Sequence, residues 1–155
     1  MDWVTPIVTF TTSVAVALIS AVVAVKLALR RFYSEKWWER KSTAYASIID
    51  AIHHVREHAD TNLVFSLRGI DLPKDGEAEL EKALQAAMAQ LRKQRDIGSF
   101  VISNEAVAAL NGLFAELETS TRTQSWQEHL EIKLAAVDKW LPELRRLAHS
   151  DLRLA

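Results

Sequence analysis

From Ile7 to Val25 the chain reads IVTFTTSVAVALISAVVAV, 19 residues without a charged side chain. At about 1.5 Å of rise per residue, a helix of this length covers roughly 28 Å, close to the ~30 Å hydrocarbon thickness of a bilayer. Leu27, Ala28 and Leu29 extend the run if Lys26 snorkels, its methylenes in lipid and its ammonium at the interface. The hydroxyls of Thr9, Thr11, Thr12, Ser13 and Ser20 do not oppose insertion, because hydroxyls in a helix can bond to backbone carbonyls one turn back. A cleaved signal peptide would begin with basic residues and carry a shorter apolar core, whereas here the first residues are Met1-Asp2-Trp3 and the basic ones follow the run. A buried core helix of this length would show a polar face. Residues 1–29 are therefore expected to form a transmembrane anchor.

The charges around this run set its expected direction. Residues 26–41 hold Lys26, Arg30, Arg31, Lys36, Arg40 and Lys41 against Glu35 and Glu39, a net charge of 6 − 2 = +4. Residues 42–155 carry 13 basic and 17 acidic side chains, a net of −4, and the whole chain has a formal charge of −1. Basic flanks stay on the cytoplasmic side, so the N-terminus is expected outside and the C-terminal region in the cytoplasm. Phe32, Tyr33, Trp37 and Trp38 join the six basic residues as expected membrane-interface anchors, and the segment 30–41 reads as a basic-aromatic juxtamembrane stretch. Its function is either recognition of anionic lipid head groups or plain anchoring and topology. A mildly acidic remainder speaks against nucleic acid as a partner. Small residues four apart (Thr9, Ser13, Ala17 and Ala21; Ser20, Ala24 and Ala28) give the span a face on which two copies could approach closely.

The rest of the chain is written for helices. It has only 4 Gly and 3 Pro, and 49% of the full sequence is hydrophobic. No Gly or Pro interrupts Leu27 to Arg68, and Trp38, Tyr45, Ile48, Ile52, Val55 and Ala59 recur at three- and four-residue steps, with Lys41 filling one gap. That spacing predicts the seam of a long helix continuing from the anchor, with Glu39, Lys41, Asp50, Arg56 and Glu57 on its outer face. GIDLPKDG at 69–76 marks a break. A second helix is expected over about 77–96, with acidic residues first, basic residues last and Leu80, Leu84, Ala87, Met88 and Leu91 inward. Ser103 or Asn104 is placed to cap a third helix to about Glu118, with Val107, Leu110, Leu113, Phe114 and Leu117 inward. The polar linker 119–125 ends in Ser125-x-x-Glu128, which resembles a capping box. A fourth helix then carries Trp126, Leu130, Leu134, Val137, Leu141 and Leu144 on one side. Pro142 predicts a kink or restart, and the tail after His149 is expected to fray. The expected fold is all-α: an N-terminal transmembrane helix running into a cytosolic bundle of about four helices over 42–155.

Chemistry is harder to find. Without cysteine there is no disulfide, no thiolate zinc site, no iron–sulfur cluster and no thiol nucleophile. The glycines at 69, 76, 98 and 112 are too scattered to cradle a phosphate, and no G-x-S-x-G elbow occurs. One local constellation remains, Asp50-Ala-Ile-His53-His54-Val-Arg-Glu57-His58. Asp50, His54 and His58 lie four residues apart on one helical face, a spacing at which carboxylate and imidazole chelate zinc or another divalent metal. The competing reading makes them solvated side chains opposite the Ile48, Ile52 and Val55 seam. No cofactor and no catalytic residues are expected.

The run Arg31-Phe-Tyr-Ser-Glu-Lys-Trp-Trp-Glu-Arg-Lys41, followed by Ala44-Tyr45 and Ile48 to His54, resembles a group of small uncharacterised bacterial single-pass membrane proteins. In these a short span leads into a FYSEKWWERK-like segment and a helical cytosolic domain, and Ile102 to Val107 looks like a further shared stretch. The resemblance covers residues 27–60 best. It implies a bacterial inner (cytoplasmic) membrane location and no particular activity. Together these readings point to a non-enzymatic, membrane-tethered helical interaction module, an adaptor or accessory subunit. Its expected partners are the lipid bilayer and either another protein or a second copy of the chain. Metal binding or sensing through Asp50, His54 and His58, and an anionic-lipid surface sensor, are the alternatives.

Overall fold

A computed structural model describes the backbone of residues 4–98, 100–120 and 125–153, and the side chains of these from residue 19 onward. Four helices account for nearly all of it: α1 (Val4–Arg68), α2 (Lys74–Gly98), α3 (Asn104–Ser120) and α4 (Trp126–Arg153). No strand occurs among the described residues. The chain separates into two compact units, residues 1–38 and 39–155.

In the first unit every described side chain, from residue 19 to residue 38, is exposed. Trp38 is 46% exposed and therefore no part of the core seam, contrary to the periodicity reading. A three- and four-residue rhythm continues across any amphipathic helix, but a position is buried only where another element covers it. The run Ile7 to Val25 lies outside the residues with described side chains as far as residue 18. Among the described residues no helix is long and apolar enough to cross a membrane.

The second unit is a helical bundle. From α1, Tyr45, Ile48, Ile52, Val55 and Ala59 are buried at the expected spacing. Tyr45, Ile48, Ile52 and Val55 meet Ala87 and Leu91 of α2, Ala106, Leu110, Leu113 and Phe114 of α3, and Val137, Leu141 and Leu144 of α4 in the core. Fully burying each Leu, Ile, Val or Phe contributes about 1.5–3 kcal/mol, and this packing, more than helix propensity, holds the bundle together. Leu80, Leu84 and Met88 of α2 are only half-buried, which leaves α2 the most loosely covered of the three later helices. Trp126, expected inward on α4, is 53% exposed and stacks on His129 with ring centroids 5.3 Å apart.

The ends of the elements differ from expectation in instructive ways. α1 stops at Arg68 because Gly69 takes a left-handed conformation (φ 64°). Its N–H donates to Ser66 O, and Ile70 N–H donates back to Phe65 O, the paired bonds of a Schellman motif. Only glycine enters this region without steric cost, so Gly69→Ala is expected to lower bundle stability by about 1 kcal/mol in denaturant unfolding, although nothing crowds the added methyl. The break is shorter than GIDLPKDG suggests. α2 begins at Lys74, directly after Pro73, whose fixed φ suits a helix entrance and whose carbonyl accepts the first bond, from Glu77 N–H. Ser103 is the α3 cap, its Oγ accepting from Ala106 N–H at 3.3 Å. α4 passes through Pro142 without a restart. A proline inside a helix costs about 3 kcal/mol, and burial of Val137, Leu141, Leu144 and Leu147 around it outweighs that. Residues 149–153 do not fray but stay helical to Arg153, because Asp151 is bonded into the bundle. Its Oδ2 accepts from Tyr45 O–H and from Ser103 N–H, the latter at 3.0 Å.

Candidate functional site

Two groups of side chains outside the apolar core stand out. The first is the basic-aromatic segment. Lys26, Arg30, Arg31, Phe32, Tyr33, Lys36, Trp37, Trp38 and Arg40 are all exposed, and Lys41 is half-buried. A helix with Leu27, Leu29, Phe32, Tyr33, Trp37 and Trp38 all open to solvent carries far more apolar surface than an ordinary soluble face. Phe32 and Tyr33 meet edge to face with centroids 6.0 Å apart.

The second is a polar cluster where α1, α2 and α4 converge. The expected ligand set does not assemble there. Asp50 is exposed and His54 half-buried, its Nδ1 lying 3.3 Å from Glu57 Oε2 on its own helix. His58, read with them as an outward residue, is only 5% exposed. Among the described residues no three His, Asp or Glu side chains stand close enough to hold a metal ion. The four-residue spacing aligns these positions along α1, but the bundle turns His58 inward, toward α2, and leaves the other two outside.

His58 Nε2 lies 3.5 Å from Glu81 Oε2 of α2, while its buried Nδ1 has no hydrogen-bond partner. Burial holds the imidazole below its ordinary pKa, and the Lys133 ammonium pushes the same way, outweighing the opposing pull of Glu81. His129 of α4 adds a smaller push in that direction. Lys133 is itself held below the usual lysine value by burial, against the pull of Glu81. Beside it, Asn62 donates to His58 O at 2.8 Å, and His129 Nδ1 lies 2.7 Å from Ser120 O. So little of the ring is exposed that His58 has no face open to a substrate. The cluster is a polar pin between helices, and the sequence offered no sign of it, because Glu81 and Lys133 lie 23 and 75 positions away.

The pin has a pH signature. Because the folded state disfavours imidazolium, bundle stability is full above the unfolded value near 6.5 and falls as the pH drops below it. Urea titrations at a series of pH values should show that fall, and His58→Leu should flatten it. An unchanged slope in the variant would exclude His58 as its source.

Next to the pin, between the end of α1, the 69–73 turn and the start of α4, lies an open groove of ≈ 410 Å³. Phe65, Ile70, Leu72 and Trp126 supply its apolar lining, and Asp71, Lys74 and Glu77 its charged one. These charges are of both signs and select no ligand class. Comparison with protein-family models, curated proteins and solved structures finds no match for this chain.

Proposed function

We propose that this chain is a membrane-tethered helical interaction module: an adaptor or accessory subunit without catalysis of its own, held to a bacterial inner membrane by its N-terminal helix. The observation that carries this reading is the exposure of every apolar and aromatic side chain from Ile19 to Trp38. These continue the chargeless run Ile7 to Val25, and lipid is the natural cover for a helix apolar on all sides. The cluster of basic residues after the run supports an N-terminus outside and a cytoplasmic bundle. A bundle held by side-chain packing, with its one buried histidine closed to substrate, supports a binding role over an enzymatic one.

The test is retention in the membrane fraction through alkaline carbonate washing. The full chain is expected to stay. Arginine in place of Val16, near the middle of the run, should release it, since a cation there costs about 2.5–3.5 kcal/mol of insertion. A full-length chain that carbonate strips away would end the tether reading. Single cysteines added to this Cys-free sequence report direction: one at Ser150 should resist labelling from outside intact cells.

A further inference from the structure

We infer that the helix just after the chargeless run binds anionic phospholipid head groups along one face, where α1 leaves the bilayer. The inference rests on the tether proposed above and adds to it a partner of defined chemistry. Within residues 26–38, at ~100° per residue, Lys26, Leu29, Arg30, Tyr33, Lys36 and Trp37 fall within one ~120° sector of the helix, while Glu35 points away from it. All of these residues are exposed. Simple topology determination needs basic residues near the end of a span but no particular face. A sector that gathers three cations and two amphipathic rings, and puts the carboxylate on the far side, is complementary to a phosphate-rich surface. The ammonium and guanidinium groups meet lipid phosphates, and the Tyr33 ring, about one turn past Leu29, sits at head-group depth. Free phosphate would be drawn by the cations alone. The interleaved rings favour a lipid surface.

The experiment uses the full chain reconstituted in phosphatidylcholine bilayers. These are doped with spin-labelled phosphatidylglycerol or spin-labelled phosphatidylcholine, and electron paramagnetic resonance reads the protein-bound fraction of each. A several-fold preference for phosphatidylglycerol is expected, weakening in high salt. Arg30→Glu should reduce the preference by about fivefold or more, the scale of one basic side chain at such a surface. Arg31→Glu makes the same change of charge one position on, ~100° around the helix and outside the sector, and should reduce it less. No preference for phosphatidylglycerol, or equal losses in the two variants, would overturn the inference while leaving the tether intact. A chain that fails the carbonate wash would overturn both. Phosphate added free in solution should leave the preference unchanged, and its abolition by phosphate at constant ionic strength would assign the face to the soluble anion instead.

Discussion

Replacing Asp151 with alanine is expected to destabilise the bundle by about 3 kcal/mol, lowering its melting temperature by about 10 °C. One carboxylate oxygen, Oδ2, accepts from two donors on different elements, the Tyr45 hydroxyl of α1 and the Ser103 N–H before α3. Tyr45 is 2% exposed, so water does not replace the lost acceptor. A buried donor left unpaired costs about 1–3 kcal/mol. The Tyr45 hydroxyl would keep only its long contact to Ser103 Oγ at 3.4 Å, and the N–H of half-buried Ser103 would lose its acceptor. Ser103 also caps α3 through its Oγ, and the loss therefore reaches a third helix. Asp151→Asn retains a carbonyl oxygen to accept and should lose clearly less. Equal losses in Ala and Asn would mean that the acceptor is not what Asp151 supplies. The same contact sets behaviour in alkali. Burial, reinforced by the bond to Asp151, pushes the Tyr45 hydroxyl up to about 12 from 10.0. The folded state thus keeps its proton longer than the unfolded chain. The stability tied to that proton is complete below about pH 10 and disappears as the pH rises to about 12. Tyr45→Phe should remove this alkaline step.

The second large effect is expected at Gly112, and its sign is the informative part. In a free helix, Ala in place of Gly gains about 1 kcal/mol of helix propensity. At Gly112 an added Cβ would stand 2.4 Å from Cζ2 and 2.5 Å from Cη2 of Trp140, far inside contact distance. The missing side chain lets the indole of α4 lie directly on the α3 backbone. Trp140 is half-buried against the core and cannot swing away freely. Overpacking costs about 1–3 kcal/mol and more for bulkier groups. Gly112→Ala should therefore destabilise despite its propensity gain, and Gly112→Val should cost about 3 kcal/mol in denaturant unfolding. In a Trp140→Leu background, where the ring is gone, the Ala substitution should become neutral or stabilising. Stabilisation by Gly112→Ala in the unaltered chain would refute the contact.

The helices were legible because their signals are local. Few breakers, a three- and four-residue apolar rhythm, a serine before α3 and a glycine after α1 each act within a turn or two. Core positions such as Ile48, Ile52, Leu110, Leu113, Val137 and Leu144 followed from that rhythm. The same rhythm misled at Trp38 and Trp126, where the pattern continues but no other element covers the side chain. Asp50, His54 and His58 do not gather as one ligand set for a related cause. Spacing along one helix states which side chains share a line, not which part of that line a neighbouring helix occupies.

By itself, then, the sequence determined an all-α chain, the extent of its helices to within a few residues, and the placing of its positive charge in the 26–41 segment. These depend on backbone propensity, apolar periodicity and composition, all carried by residues near one another in the chain. Only the tertiary structure decided that His58 turns inward toward Glu81 and Lys133, that Asp151 bonds the end of α4 to Tyr45 and Ser103, and that Gly112 makes room for Trp140. Each of these joins residues 23 or more positions apart. Which such pairs meet is set by how the helix faces pack together, and the rhythm of a single helix holds no record of that.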